Sequence, residues 1–457
     1  MEKVFGSFRD PAGGVFVEND RIYRAIYADG VEDYRLFVES GLAKELLKKK
    51  WIPEFQEVDP ARINGAEKVI EVERLPWISC PYEWSFHQLK EAALFTLKLQ
   101  IKALDFNMTL KDASAYNIQL LNARPVMIDL QSFERYEEGT PWNAYRQFVM
   151  HFLGPLLLMA RDVRYGQLFR AWLDGFPIDF TSKQLPRRSW LSFACLLHIH
   201  LHARMIAKYE NTRGKSEANR EKPSKPVSKS SLYQLLDSLV NFVKSIRSAK
   251  MSTEWGDYYN DINYSDSAFK AKKALIEEIC RKFQPARVCD LGANCGEFSR
   301  QVPDSVPVVI SADIDPVAVD KNYIQVRKND ETSIYPVLID LCNPSPSLGW
   351  MNGERDSFLN RARCDVALGL ALIHHLCIGN NLPLRYVAQL FDQLAPVAVV
   401  EFVPKDDSQT QRLLSAREDI FPEYTLERCV QVFGEYFPHC ETHPVPDSKR
   451  TILVFSK

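Results

Sequence analysis

VCDLGANCG, residues 288–296, is the stretch on which the fold turns. An apolar lead-in delivers Asp290, the chain turns at Gly292, and Gly296 opens the helical segment that follows. Glycine reaches dihedrals closed to other residues and lets the backbone pass close to a ligand. Taken alone, the loop reads equally as a tight turn or as a ligand cradle, and the segments downstream separate the two. Seventeen residues after Gly296 a second strand-like run, VPVVISADID, ends in Asp313; a third, YPVLIDL, ends at Asp340 and Leu341; a fourth, CDVALGLAL, runs on to Leu370 and His374. In a doubly wound sheet the ligand lies beyond the carboxyl ends of the strands, where an acid ending the second strand accepts both hydroxyls of a ribose. Capping of the following helices is the alternative reading for Asp313 and Asp340.

Working outward, PVAVVEFV and RTILVFSK add further strands, and AFKAKKALIEEICRKF, DPVAVDKNYIQV, PLRYVAQLFDQL and TLERCVQVFGEYF have helical spacing. Apolar strands alternating with helices predict an α/β fold, a doubly wound, mostly parallel sheet covered on both faces. The last strand, 450–457, follows HCETHPVPDS through a turn and is expected to pair antiparallel at the sheet's end.

DLGANCG, SADIDP, LIDL and CDVALGLALIHHL together resemble the class I S-adenosylmethionine-dependent methyltransferases, over about residues 252–457. The resemblance implies a seven-stranded Rossmann-like sheet and S-adenosylmethionine as cofactor. Asp290, Gly292, Asn294 and Gly296 would surround its methionine part, Asp313 the ribose, and Asp340 with Leu341 the adenine, with Ile314 and Leu370 as further cofactor-binding residues. The loop departs from the dinucleotide pattern G-x-G-x-x-G. S-adenosylmethionine brings no pyrophosphate to a helix N-terminus, so a carboxylate before the loop helps near the sulfonium.

Methyl transfer needs alignment and, for some acceptors, a base. His374 and His375 follow the fourth strand, and an unperturbed imidazole titrates near ~6.5, so they are the candidate catalytic residues; the alternative is that one of them packs against the sheet. The N-P-P-aromatic signature of base methylation is missing. A small-molecule or glycan- or lipid-type acceptor is therefore expected, and no nucleic acid; the alternative is a non-enzymatic regulatory or binding protein in which both domains keep their folds without their chemistry. PKDDSQTQRLLSAREDIFPEYT reads either as a roof over an acceptor pocket or as a surface helix, and Trp255, Tyr258, Tyr259 and Tyr264 either as an aromatic seal or as a packed edge. With FVPKDD and REDIFPEYT the whole resembles the nodulation-type methyltransferase-like proteins.

The first half is α+β. GGVFVENDRIYRAIY predicts a hairpin turning at Asn19 and Asp20, residues 68–73 a strand, and residues 85–104 and 143–160 helices. In LKDASAYNIQLLNARPVMIDLQSFE, Asp112, Asn117 and Asp129 are spaced as in protein-kinase-like and aminoglycoside-phosphotransferase-like folds, where such residues orient an acceptor hydroxyl and hold magnesium. The departures are a missing glycine-rich loop, Arg24 where a lysine belongs, Lys111 in place of histidine and D-L-Q for D-F-G. Three readings stay open: a degenerate kinase-like scaffold, an active kinase, or a chance likeness.

The domains expected are thus 1–210, kinase-like; 211–250, a polar linker rich in Lys, Ser and Pro with a connector helix; and 251–457, methyltransferase. With 57 basic against 59 acidic residues in 457, a chain-wide affinity for nucleic acid or anionic membrane is not expected. Ten cysteines include no C-x-x-C pair, His198, His200 and His202 sit in a helix-like context, and no metal site is predicted. MEKVFGSFRDPAGG lacks a signal-peptide pattern, and the longest uncharged run, 366–384, carries two histidines and a proline. A cytoplasmic, reduced protein without membrane insertion is expected; the oligomeric state is left open.

Overall fold

The structure, a computed structural model, describes residues 1–212, 226–250, 266–415 and 418–457. It divides into two compact units, Met1–Lys250 with Leu348–Arg355, and Met251–Ser347 with Asp356–Lys457. Most of the polar tract, and Trp255, Tyr258, Tyr259 and Tyr264, lie outside the described residues.

The first unit opens on a five-stranded antiparallel sheet of β1 (Glu2–Lys3), β2 (Gly13–Glu18), β3 (Arg21–Ile26), β4 (Phe55–Val58) and β5 (Lys68–Val72), in the order β1-β2-β3-β5-β4. The β2–β3 hairpin turns at Asn19 and Asp20, with φ of 49° and 66°. Both central residues of such a turn must be left-handed, which Asn and Asp tolerate. Helices α1 (Ala28–Glu39) and α2 (Leu42–Lys48) join β3 to β4. Helix α3 (Phe86–Asp105) starts at a capping box in which the Gln88 side chain accepts from the Ser85 amide at 2.7 Å. Two small hairpins follow, β6 (Met108–Leu110) with β9 (Phe133–Arg135) and β7 (Ile118–Leu121) with β8 (Arg124–Met127). The remainder is helical: α4 (Tyr145–Phe148), α5 (Gly154–Met159), α6 (Ile178–Gln184), α7 (Phe193–Cys195), α8 (His202–Thr212) and α9 (Lys229–Ser245).

The stretch read as a connector helix is α9, and it belongs to the core of the first unit. Leu232, Leu236, Leu239 and Val243 are buried on its i, i+4, i+7, i+11 face, and Lys90 of α3 donates to the carbonyls of Lys244 and Ile246 at 2.9 and 2.6 Å. Segment Leu348–Arg355 also packs here: Glu354 accepts two bonds from the Arg9 guanidinium at 2.9 and 3.0 Å, and Arg355 lies 4.4 Å over the Tyr116 ring.

The second unit is a seven-stranded sheet with helices. After α10 (Asp266–Phe283) come β10 (Arg287–Leu291), β11 (Val308–Asp313), α11 (Pro316–Lys328), β12 (Ile334–Leu338), α12 (Phe358–Arg361), β13 (Val366–Gly369), α13 (Leu384–Leu394), β14 (Val397–Phe402), α14 (Ser408–Leu414), α15 (Leu426–Gly434), β15 (His439–Pro444) and β16 (Thr451–Ser456). The strand order is β12-β11-β10-β13-β14-β16-β15, parallel through β14, with β16 antiparallel to both neighbours. Strands β11 to β14 are buried along their whole length, which is why they read as continuous apolar runs.

One expectation is corrected at the sheet's end. The last strand, β16, pairs antiparallel as expected, but it is internal, between β14 and His439–Pro444, which forms the edge strand. That strand is exposed at nearly every position, so it lacks the apolar alternation by which a half-buried strand is recognised. No helix among the described residues is long and apolar enough to cross a membrane.

Candidate functional site

Strand β10 has β11 on one side and β13 on the other, so the connections leaving it run in opposite directions and open a crevice at the carboxyl ends. The loop from β10 fills the rim of that crevice. Gly292 (φ 73°), Asn294 (φ 51°) and Gly296 (φ 79°) are all left-handed. The amides of Gly292 and Ala293 donate to the Ala312 carbonyl at 2.9 and 3.0 Å, clamping the loop to β11. A Cβ at Gly296 would stand 2.6 Å from both the Asn322 amide oxygen and the Arg300 guanidinium, so no larger residue fits the loop as it stands.

Two carboxylates converge beneath this loop. Asp290 is 2% exposed and accepts from the Ser299 hydroxyl at 2.6 Å; Ser299 also bonds Ser311, which in turn accepts from the Asn322 amide at 2.8 Å. Asp313 accepts from the amides of Asn294 and Asp315 at 2.7 and 2.8 Å. Helix α11 is capped by Asp315, which accepts from the Val317 amide at 2.8 Å, so capping is not the role of Asp313. Asp340 caps no helix either; it closes an Asx turn onto the Cys342 amide at 2.8 Å. Burial pushes both Asp290 and Asp313 up to about 6, and for Asp290 the negative charge of Asp313 adds to it. No ion pair reaches either carboxylate among the described residues.

The other residues read from the sequence lie around the same rim. Leu370, buried, follows β13; Leu341, half-buried, follows Asp340; Ile314 is 56% exposed just after β11. His374 and His375 follow β13 at the entry to a π-turn, His375–Gly379, with ring centres 4.1 Å apart. His374 is 1% exposed, and its Nδ1 has no hydrogen-bond partner among the described residues. Burial moves His375 down to about 4 and His374 well below its ordinary value, helped for His374 by His375 and for both by the Arg450 cation. The value near ~6.5 expected of an unperturbed imidazole is therefore corrected: both rings are neutral throughout the physiological range, fit to orient a proton and poor at taking one from solution.

Sequence reading missed the buried ionic chain beside these rings. The Lys272 ammonium, 1% exposed, lies 2.6 and 2.7 Å from the two oxygens of Glu401, which is fully buried. Arg450 makes a two-pronged bond to Asp407 at 2.8 and 3.0 Å and stands 3.7 Å from Glu401. Asp407 also caps α14, accepting from the Gln409 amide at 2.9 Å, so the insertion after β14 is pinned to this chain of charges. A glutamate inside the otherwise apolar PVAVVEFV was the available signal; nothing marks Lys272 among the other lysines of AFKAKKAL.

In the first unit Asp112, Asn117 and Asp129 are brought together. Asp129 pairs with Arg24 at 2.8 Å and accepts from Ser132, whose oxygen also takes a bond from Asn117 at 3.2 Å. Asp112 is raised by burial and then by the charge of Asp129. Lys111 turns to Asp33 at 3.1 Å. His198 bonds the Tyr145 hydroxyl at 2.7 Å, and His200 sits between Ser182 and Ser189 at 2.8 Å each, both in the helical run expected of them. Among the described residues no group of three or more His, Cys, Asp or Glu is placed to hold a metal ion. All ten cysteines are free; Cys342 and Cys440 are exposed rather than core residues.

Compared with known proteins, the chain is 33% identical to nodulation protein NoeA of Rhizobium meliloti (strain 1021), over 100% of this chain and 96% of that one. The chain belongs to the NoeA family. No family model matches it. Among solved structures, this NoeA relative is similar to the magnesium protoporphyrin IX methyltransferase ChlM of Synechocystis PCC 6803 with bound S-adenosylhomocysteine (13% identity, TM-score 0.29, 43% of this chain and 89% of that one). It is also similar to the methyltransferase domain of a bacterial Hen1 (13%, 0.27, 42% and 100%) and to monomeric WbdD (16%, 0.29, 43% and 43%). At TM-scores this low, the fold assignment of this NoeA relative rests on its own strand order.

Proposed function

We propose that the second unit transfers a methyl group from S-adenosylmethionine to a small-molecule or glycan- or lipid-type acceptor. The observation that carries the reading is a pair of buried carboxylates, Asp290 and Asp313, ending adjacent parallel strands and reached by no ion pair among the described residues. Buried carboxylates perturbed in this way cluster at sites where a ligand arrives. A ligand bearing a sulfonium and an ammonium brings positive charge to them, and its ribose diol matches the lone pairs that Asp313 keeps after accepting two amides. The left-handed glycines leave the rim without side chains where such a ligand would lie.

When bound, S-adenosylmethionine supplies an electrophilic methyl carbon. Gly292, Asn294 and Gly296 would hold its methionine part, Asp313 its ribose, and Asp340 with Leu341 its adenine. His374 and His375, kept neutral, orient the acceptor's hydrogen at the mouth beyond β13, and the Lys272–Glu401–Arg450–Asp407 chain fixes the helix and strands around them. Titration calorimetry of the full chain tests the reading: binding of S-adenosylmethionine and S-adenosylhomocysteine is expected, with loss in Asp313→Asn, and no heat with either compound overturns it.

For the first unit, the Arg24–Asp129 ion pair favours a kinase-like scaffold that has lost phosphoryl transfer, because the carboxylate that would hold magnesium is already neutralised. No thermal shift with magnesium-ATP is expected; a shift abolished in Asp129→Ala would instead support an active kinase.

A further inference from the structure

The run Phe193–Thr212, α7 through a π-turn (Leu196–Leu201) into α8, is anchored on one side only. Cys195, His198, Ile199, His200 and Ala203 are buried, held by the bonds of His198 to Tyr145 and of His200 to Ser182 and Ser189. The opposite side displays Phe193, Leu197, Leu201 and Met205, exposed by 77%, 42%, 38% and 71%, with Leu191 at 90% beside them. In a regular α-helix four residues overshoot one turn by about 40°. The wider π-turn spans Leu197 and Leu201 and offsets that drift, so the four side chains form a straight stripe.

Single exposed apolar side chains are ordinary, but four in one stripe with a fifth beside it mark an interaction surface. The charges around the stripe say of what kind. Residues 180–208 hold Lys183, Arg187, Arg188, Arg204 and Lys208 and no acidic residue, in a chain whose net charge is -2; of these Lys183 pairs with Asp179 at 2.9 Å, so the arginines carry the face. Arg187, Arg188 and Arg204 are exposed and form no ion pair among the described residues; Arg204 is fixed 4.5 Å over the Trp190 ring. A second copy of the chain meeting this face by two-fold symmetry would set like charges against each other. Nucleic acid would match the cations and leave the apolar stripe in water.

We propose that this face docks the first unit on an anionic lipid surface, the apolar stripe entering the acyl boundary and the arginines meeting the headgroups. The helix lies in the plane of the interface, as amphipathic basic helices do, without spanning the bilayer. The assignment is independent of the methyl-transfer reading.

Flotation of the full chain with phosphatidylcholine vesicles, with and without phosphatidylglycerol, tests it. Binding is expected only to the anionic vesicles and is reversed by high salt. The pairs Phe193→Ser with Met205→Ser, and Arg187→Glu with Arg188→Glu, each reduce it by about tenfold or more. All four positions are exposed, so circular dichroism and Tm stay at the wild-type values. The proposal is overturned if the chain ignores anionic vesicles, if both paired variants float like wild type, or if lipid-free sedimentation shows a dimer that Phe193→Ser with Met205→Ser dissolves.

Discussion

Replacing Asp290 by Asn should stabilise the protein while removing its ligand. Burial holds the Asp290 carboxyl at about 6 against an ordinary value of 3.8, so at neutral pH the folded state carries a charge that it disfavours. Two units of displacement correspond to about 3 kcal/mol. Asn keeps an acceptor for the Ser299 hydroxyl, 2.6 Å away, and the displacement is already net of the bond that hydroxyl gives the charged form. The expectation is therefore about 3 kcal/mol of added stability at neutral pH, or roughly 6–12 °C in Tm for a unit of about 200 residues. The pH dependence fixes the sign. Between 3.8 and about 6 the folded state binds more protons than the unfolded chain, so the wild type loses stability as pH rises through that window. Asn does not titrate, and its advantage therefore grows from near zero at about pH 4 to its full value above about pH 7. Calorimetric scans of both proteins at about pH 5 and about pH 7.5 measure it. A variant less stable than wild type by the same amount at both values would refute the reasoning, since Asp290 would then act through packing and hydrogen bonding alone.

Three further outcomes follow from the same geometry. Affinity for S-adenosylmethionine should fall as pH drops through about 6, where Asp290 and Asp313 protonate, while the uncharged sulfur of S-adenosylhomocysteine makes its affinity less sensitive; calorimetry across that range compares them. Lys272→Met takes the ammonium from the buried Glu401, leaving Arg450 at 3.7 Å, and should cost about 3–5 kcal/mol, whereas Lys272→Met with Glu401→Leu recovers much of it, measured by urea denaturation. Gly296→Ala places a Cβ 2.6 Å from Asn322 and Arg300 at a φ of 79°, and is expected to destabilise the unit by about 1–3 kcal/mol and weaken ligand binding together.

The glycine loop and the strand-end carboxylates were legible because they are local. Asp290, Gly292 and Gly296 fall within seven residues, and Asp313 and Asp340 each close an apolar run, so period and punctuation locate them. The capping of α11 by Asp315 rather than Asp313 turned on a two-residue choice that spacing does not resolve. The ionic chain was illegible for the opposite reason. Lys272, Glu401, Asp407 and Arg450 span 179 positions of sequence and meet only through the parallel order of the sheet and the return of β16 against β14. Edge strand β15, solvated on both faces, carries no periodicity to read.

The two sides of the crevice differ electrostatically, and that bears on the acceptor. Asp290 and Asp313 form a negative floor that no ion pair reaches among the described residues. At the mouth, the cations of Arg450 and Lys272 act on His374, and that of Arg450 on His375, so added positive charge is penalised there. The burial that keeps the imidazoles neutral, with the Arg450 cation adding to it, disfavours an ammonium brought alongside them and favours a neutral hydroxyl. If the second unit transfers a methyl group, oxygen acceptors should outcompete amines of matched size at neutral pH, and the preference should narrow once the amine is largely deprotonated. Competition between an alcohol and an amine of the same skeleton, read from product masses across pH, decides it. A constant preference for the amine would place the acceptor away from the histidine pair.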